Sequence, residues 1–149
     1  RTHSSTAVEK YSQKAADKCV PLDSELIKEA IPLFTQIHHC GSVLAEVFFA
    51  MMISRILYGS VPAPGTMVIF SILLATCSIG TPGLPWGTVM VSLGTLTGIL
   101  KFGDSGMALM FAVFALNDAF AAACNATCDG AAALFLTGYV KRHDFSNRL

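Results

Sequence analysis

The sequence predicts an all-α integral membrane protein: a polar helical arm, one interrupted spanning helix, a broken apolar hairpin and one long final spanning helix. Three observations carry that prediction. The 149 residues are 53% hydrophobic and 13% charged, with mean hydropathy +0.58, whereas soluble domains are about a quarter charged. The charge is also confined. Between Ile31 and Leu100 the only Lys, Arg, Asp or Glu residues are Glu46 and Arg55, and between Ser105 and Val140 only Asp118 and Asp129 occur. Finally, the apolar stretch from Pro64 to Leu100 is broken at its middle by SIGTPGLPWGTV, residues 78–89, with two prolines and three glycines.

The elements follow in order. Residues 1–20 are polar. PLDSELIKEA, residues 21–30, reads as a Pro-initiated turn with Asp23 or Ser24 capping a short amphipathic linker helix. From Ile31 to Tyr58 the chain is long enough, at about 1.5 Å per residue, to cross a hydrocarbon core of about 30 Å. Its TQIHHCGS segment is polar, and Gly41 marks an expected unwound or hydrated point within residues 21–60. Gly59 and the Pro62/Pro64 pair end it. Two apolar arms, Thr66–Ile79 and Trp86–Leu100, follow within residues 61–104, with a tip at 78–88. Each falls short of the roughly 20 residues a spanning helix needs, so a re-entrant helix–break–helix that enters and leaves on one side is expected. Backbone that is not helical at membrane depth survives only inside protein or beside a wet cavity, which makes the break a candidate site. Residues 105–149 give the last span and a tail; Lys141 and Arg142 favour a cytoplasmic C-terminus.

The last span carries the clearest chemistry. Asp118, Asn125 and Asp129 lie at i, i+7 and i+11, within about 40° of one another at 100° per residue. Ala121 and Ala122 beside them leave room for a ligand. Carboxylates at membrane depth face a cavity, a cation or a proton path. Interhelical hydrogen bonding is the competing reading, but with no Lys or Arg between them they fit a cation or an ammonium group better. At the hairpin tip, carbonyls of Ser78 to Thr81 suit Na⁺, while the amides that open the second arm at Trp86 to Thr88 suit a substrate carboxylate. Glu46 is half a helical turn out of register with Arg55, so it needs another partner or a proton. A proton-carrying role and a static hydrogen bond stay equally open.

Other classes are less well served. Ten basic and ten acidic residues leave net charge zero, so no nucleic-acid partner is expected. Cys19, Cys40, Cys77, Cys124 and Cys128 form no framework and read as helix-packing residues. His38, His39 and Cys40 diverge by about 100° per position, which makes a transition-metal site a lesser alternative. No nucleophile triad, phosphate loop or catalytic carboxylate pair occurs, so neither an enzyme nor an organic cofactor is expected. The chain opens on RTHSSTAVEK without Met, so a piece of a longer protein is expected, with any signal or first spans upstream.

SIGTPGLP, then an apolar arm, then D-x6-N-x3-D resembles the dicarboxylate/amino-acid:cation symporter family, the glutamate transporter homologues. In that family SIGT-x-G-x-P forms the tip of the second re-entrant hairpin, and the last span carries D-x2-R-[TC]-x2-N-x3-D. The likeness extends along the chain: His3-Ser4-Ser5-Thr6 is similar to the serine-rich tip of the first hairpin, and Pro32 through Glu46 to the seventh span with its NMDGT motif. It implies the C-terminal portion of a transport domain, with residues 1–20 as the second arm of the first hairpin and the full-length protein a homotrimer in lipid. The implied location is the cell membrane, the inner membrane in a Gram-negative cell.

The resemblance also implies roles. Asp118 would receive a substrate amino group, and Asn125 its carboxylate together with amides near Gly83 and Leu84. Ser4 and Ser5 would reach it from the first hairpin, with Ser42 nearby on the seventh span. Asp129, with Asn125, would hold one Na⁺. A second would sit on carbonyls of Ser78, Ile79 and Thr81, joined by backbone near Gln36 and His38. The departures are equally specific. The NMDGT aspartate is Cys40, which puts the sodium count in question, and the first hairpin's proline is absent, with Lys10 near its place. The arginine that grips an acidic side chain is Ala121, followed by Ala122, so a small neutral amino acid or related carboxylate is the expected substrate. Glu46 falls where proton-coupled glutamate carriers have an acid, making H⁺ an alternative coupling ion. The implied function is a secondary symporter working by elevator displacement. The alternatives are a transport-inactive ligand-binding protein of the same fold, or a metal-ion carrier using His38, His39 and Cys40.

Overall fold

The longest element is a helix of 39 residues, Asp104–Arg142. The computed structural model describes residues 5–18, 24–37, 39–81 and 87–143. It contains six helices, α1 Ser5–Ala16, α2 Ser24–Ile37, α3 Cys40–Tyr58, α4 Pro64–Ile79, α5 Gly87–Gly98 and α6 Asp104–Arg142, with no strand among the described residues.

Local chemistry sets the helix ends. Gly59 closes α3 in the left-handed conformation at φ 77°, the usual geometry of a glycine helix stop. Arg55 Nη1 donates to the Gly59 carbonyl at 2.7 Å, serving one of the acceptors a helix end leaves open. Pro64 opens α4 in its first turn, where the missing N–H is no loss. Hydroxyls inside the apolar helices bond back to their own backbone, as Ser71 does to Met67 O at 2.7 Å and Thr127 to Ala123 O at 2.9 Å. Such self-satisfied hydroxyls need no water.

Two apolar clusters hold the helices. Ala50, Ile53, Met67, Phe70, Leu74, Leu96, Phe102 and Met110 join α3, α4, α5 and the first part of α6. Ala16, Ile27, Ile31 and Ala133 join α1 and α2 to its later part. Between them, at the middle of α6, the buried residues include the polar Asp118, Asn125 and Asp129. Near the first cluster the Gly103 N–H donates to Tyr58 Oη at 2.9 Å. Gly106 lets that ring approach: a Cβ there would lie 2.6 Å from Tyr58 Oη.

Two boundaries differ from expectation. The linker helix and the start of the expected span are one helix, α2, which runs through Pro32 to Ile37. The interruption therefore falls between Ile37 and Cys40, and Gly41 is not unwound but lies in the first turn of α3. The apolar arms are α4 and α5, each within about two residues of its expected limits. The tip residues 82–86, including Gly83 and Leu84, lie outside the described residues, as do Ser4 and His38; of Ser5 only the backbone is described.

Candidate functional site

The site is built on the buried stripe of α6: Gly106, Met110, Phe114, Asp118, Ala121, Ala122, Asn125, Asp129, Ala133 and Thr137. The steps of three and four residues trace one helix face. Asp118, Asn125 and Asp129 are all buried on it, with Asp129 fully so. The opposite surface is apolar, with Leu116 82%, Phe120 71% and Phe135 77% exposed. Water would favour the reverse arrangement, whereas lipid favours this one.

α3 packs on α6 more extensively than any other pair of helices, and its N-terminus lands on the stripe. His39 supplies no side-chain cap to α3. The carboxamide of Asn125 does so from α6: Gly41 N–H donates to Asn125 Oδ1 at 2.8 Å and Ser42 N–H donates to it at 3.3 Å. Asn125 Nδ2 in turn donates to Ser42 Oγ at 3.0 Å. The first amides of a helix lack internal partners and carry the positive end of its dipole, so an oxygen from a neighbouring helix is suited to meet them. Gly41 permits the approach. A Cβ on it would stand 2.5 Å from Cys124 Cβ and 2.8 Å from the Ala121 carbonyl.

The end of α4 lies beside the start of α3. Ser78 and Thr81 are buried, and Ile79 is exposed. The Ser78 carbonyl accepts from Thr81 N–H at 3.1 Å and Thr81 Oγ1 at 2.7 Å, so it is already engaged by the turn that follows it. A cleft of about 500 Å³ lies between α3 and α4, lined by Ile37, His39, Cys40, Ser71, Ala75 and Ser78. This cleft is mostly apolar, and Asp118, Asn125 and Asp129 are not on its wall. A second, of about 480 Å³, lies between α3 and α6 with Gly41, Asn117 and Ala121 on its wall. Gln36 is half-buried near the end of α2. Among the described residues no group of three His, Cys, Asp or Glu side chains is placed to hold a metal ion.

Glu46 is fully buried on α3. Its partner is Ser92 of α5, which contacts Glu46 Oε1, while Glu46 Oε2 has no hydrogen-bond partner among the described residues. Arg55 is exposed and turned to Gly59, as its register relative to Glu46 requires. Ser92 was not singled out in the sequence. The signal lay in the spacing Val89, Ser92, Leu96, a three-then-four pattern that is the buried face of α5.

A bundle that buries three carboxylates at mid-length and exposes its large aliphatic and aromatic side chains suits a membrane rather than water. Two of its helical stretches, Glu25–Tyr58 and Asp104–Arg142, are long and apolar enough to cross a membrane. Residues 1–138 match the model of the sodium:dicarboxylate symporter family. The chain belongs to that family, which makes its class of function transport by symport across a membrane. No curated protein and no solved structure shows a significant match.

Proposed function

We propose that this chain is the C-terminal portion of the transport domain of a secondary symporter that carries a small neutral amino acid, or a related carboxylate, inward on a sodium or proton gradient. The observation that carries this reading is the placement of Asp118, Asn125 and Asp129 on one buried face of α6, against the start of α3. Asp118 receives the substrate ammonium. Asp129 holds a sodium ion, a role that the burial of its carboxylate on the same face as Asp118 and Asn125 supports. Asn125 positions the α3 amides and, with Ser42, borders the substrate.

In this proposal α4, the 78–88 tip and α5 form a re-entrant hairpin whose tip closes over the substrate. Gly83 and Leu84 offer amides to its carboxylate; Ser4 and Ser5 do so from the first hairpin. Carbonyls of Ser78, Ile79 and Thr81, with backbone near Gln36 and His38, form a second sodium site once the turn at Thr81 yields its hydrogen bonds. The lengths of α4 and α5, 16 and 12 residues, support the hairpin, since about 20 are needed to span. Glu46 carries the proton where H⁺ couples. The full protein is a homotrimer in the cell membrane with a cytoplasmic C-terminus, and this domain moves as an elevator.

Ala121 and Ala122 are small and buried, which supports a substrate without an acidic side chain. Radiolabelled uptake into vesicles tests this. Alanine or serine is preferred over aspartate in the wild type, and Ala121→Arg shifts preference toward aspartate by supplying a bidentate partner. Aspartate preference in the wild type contradicts the specificity. One observation favours a second reading, a transport-inactive ligand-binding protein: Asn125 is already engaged by α3. Ligand binding without gradient-driven uptake selects that alternative.

A further inference from the structure

The proton bookkeeping at Glu46 points to a residue outside every motif. Ser92 and Glu46 are both fully buried, facing each other from α5 and α3. Ser92 Oγ contacts two oxygens, Glu46 Oε1 and, at 2.9 Å, the carbonyl of Val89. A serine hydroxyl has one proton to donate and can also accept.

With Glu46 ionised, Ser92 serves either the carboxylate or Val89, and the charge keeps at most one hydrogen bond from the described residues, where Oε2 has none. A buried charge so poorly solvated is strongly disfavoured. Among the described residues no counter-charge compensates. α3 packs on α4, α5 and α6; α4 and α5 contain no Lys, Arg, Asp, Glu or His, and between Asp104 and Lys141 the charged residues of α6 are Asp118 and Asp129, both of the same sign when ionised. On α3 itself, Arg55 bonds the Gly59 carbonyl at the helix end. With Glu46 neutral the contacts form a chain: the carboxyl O–H donates to Ser92 Oγ, and the Ser92 O–H donates to the Val89 carbonyl. Both protons are then used, and only a neutral carboxyl oxygen lacks a partner.

We propose that Ser92 is the positioning residue of Glu46, holding it in the protonated form and tying that proton to the placement of α5 against α3. The proposal rests on the proton role given to Glu46 above. Displacing α5 strips the neutral carboxyl of its acceptor, so proton release and movement of the α4–α5 pair become one event.

Infrared spectroscopy of the full protein in lipid, taken through a pH titration, tests this without requiring transport. Glu46→Gln identifies the protonated-carboxyl band by its loss. In Ser92→Ala that band moves to higher frequency, as for a carboxyl with no acceptor, and disappears at a pH about one unit lower, roughly the worth of one hydrogen bond. Ser92→Thr, which keeps the hydroxyl, restores both if its circular dichroism matches wild type. In the Glu46→Gln background Ser92→Ala leaves the spectrum unchanged. No band lost in Glu46→Gln, an unmoved band in Ser92→Ala, or a disappearance shifted to higher pH, as expected if Ser92 donates to an ionised Glu46, each overturns the proposal. Absence of uptake by the wild type removes the symport reading instead and leaves this result standing.

Discussion

At the residue scale, the organising contact is the Asn125 carboxamide on the first turn of α3. It joins groups 84 positions apart and leaves α3 capped by a neighbour rather than by its own chain. Gly41 makes that possible, and its role is steric rather than conformational, since it sits within a helix. Gly41→Ala should push the start of α3 off α6, lengthen the Asn125 contact and destabilise the fold by about 1–3 kcal/mol, the range for overpacking a tight site. Thermal unfolding in detergent measures this, with Gly65→Ala as control because a Cβ there meets nothing within 4 Å. Equal effects at the two glycines would contradict the packing account. The sequence showed Asp118, Asn125 and Asp129 as one stripe because helical register is local. That Asn125 meets amides of α3 was not legible, because the partner lies far along the chain and a backbone N–H has no residue signature. Ser92 was obscured for a similar reason: among Ser92, Thr95 and Thr97, only a contact with another helix distinguishes the first.

At the scale of elements, α6 is inverted relative to a helix in water, polar where it is covered and apolar where it is open. The sparse charge between Ser105 and Val140 made that helix legible, and Pro and Gly punctuation delimited α4 and α5. Pro32 was the point of failure. Read as the start of a span, it lies inside α2, where Thr35 Oγ1 bonds back to the Pro32 carbonyl at 2.9 Å. Ile27 and Ile31 pack with Ala16 and Ala133 on either side of the expected boundary, and that tertiary contact outweighs the local preference of proline. The α4–α5 pair is anchored to α3 and α6 through the cluster around Phe70, which is fully buried. Phe70→Ala should lower stability by about 3 kcal/mol, the lower end for emptying an aromatic core position, read as a lower unfolding temperature. An unchanged unfolding temperature would mean that this cluster does not hold the pair.

At the scale of the molecule, two apolar clusters flank the buried stripe of α6, and the start of α3 lands on that stripe. Family membership places this arrangement in a symport protein, and the buried carboxylates are the part of it that can recognise a cationic group. Asp118 and Asp129 are both buried in this arrangement. The central claim is that Asp118 binds the substrate's amino group. Gradient-driven uptake by the full-length protein in vesicles, compared between wild type and Asp118→Asn, tests it most directly. With the helical content and unfolding temperature of the variant unchanged, uptake should fall by about 10- to 100-fold, the worth of one hydrogen bond to a charged group; uptake at the wild-type rate and affinity would contradict it.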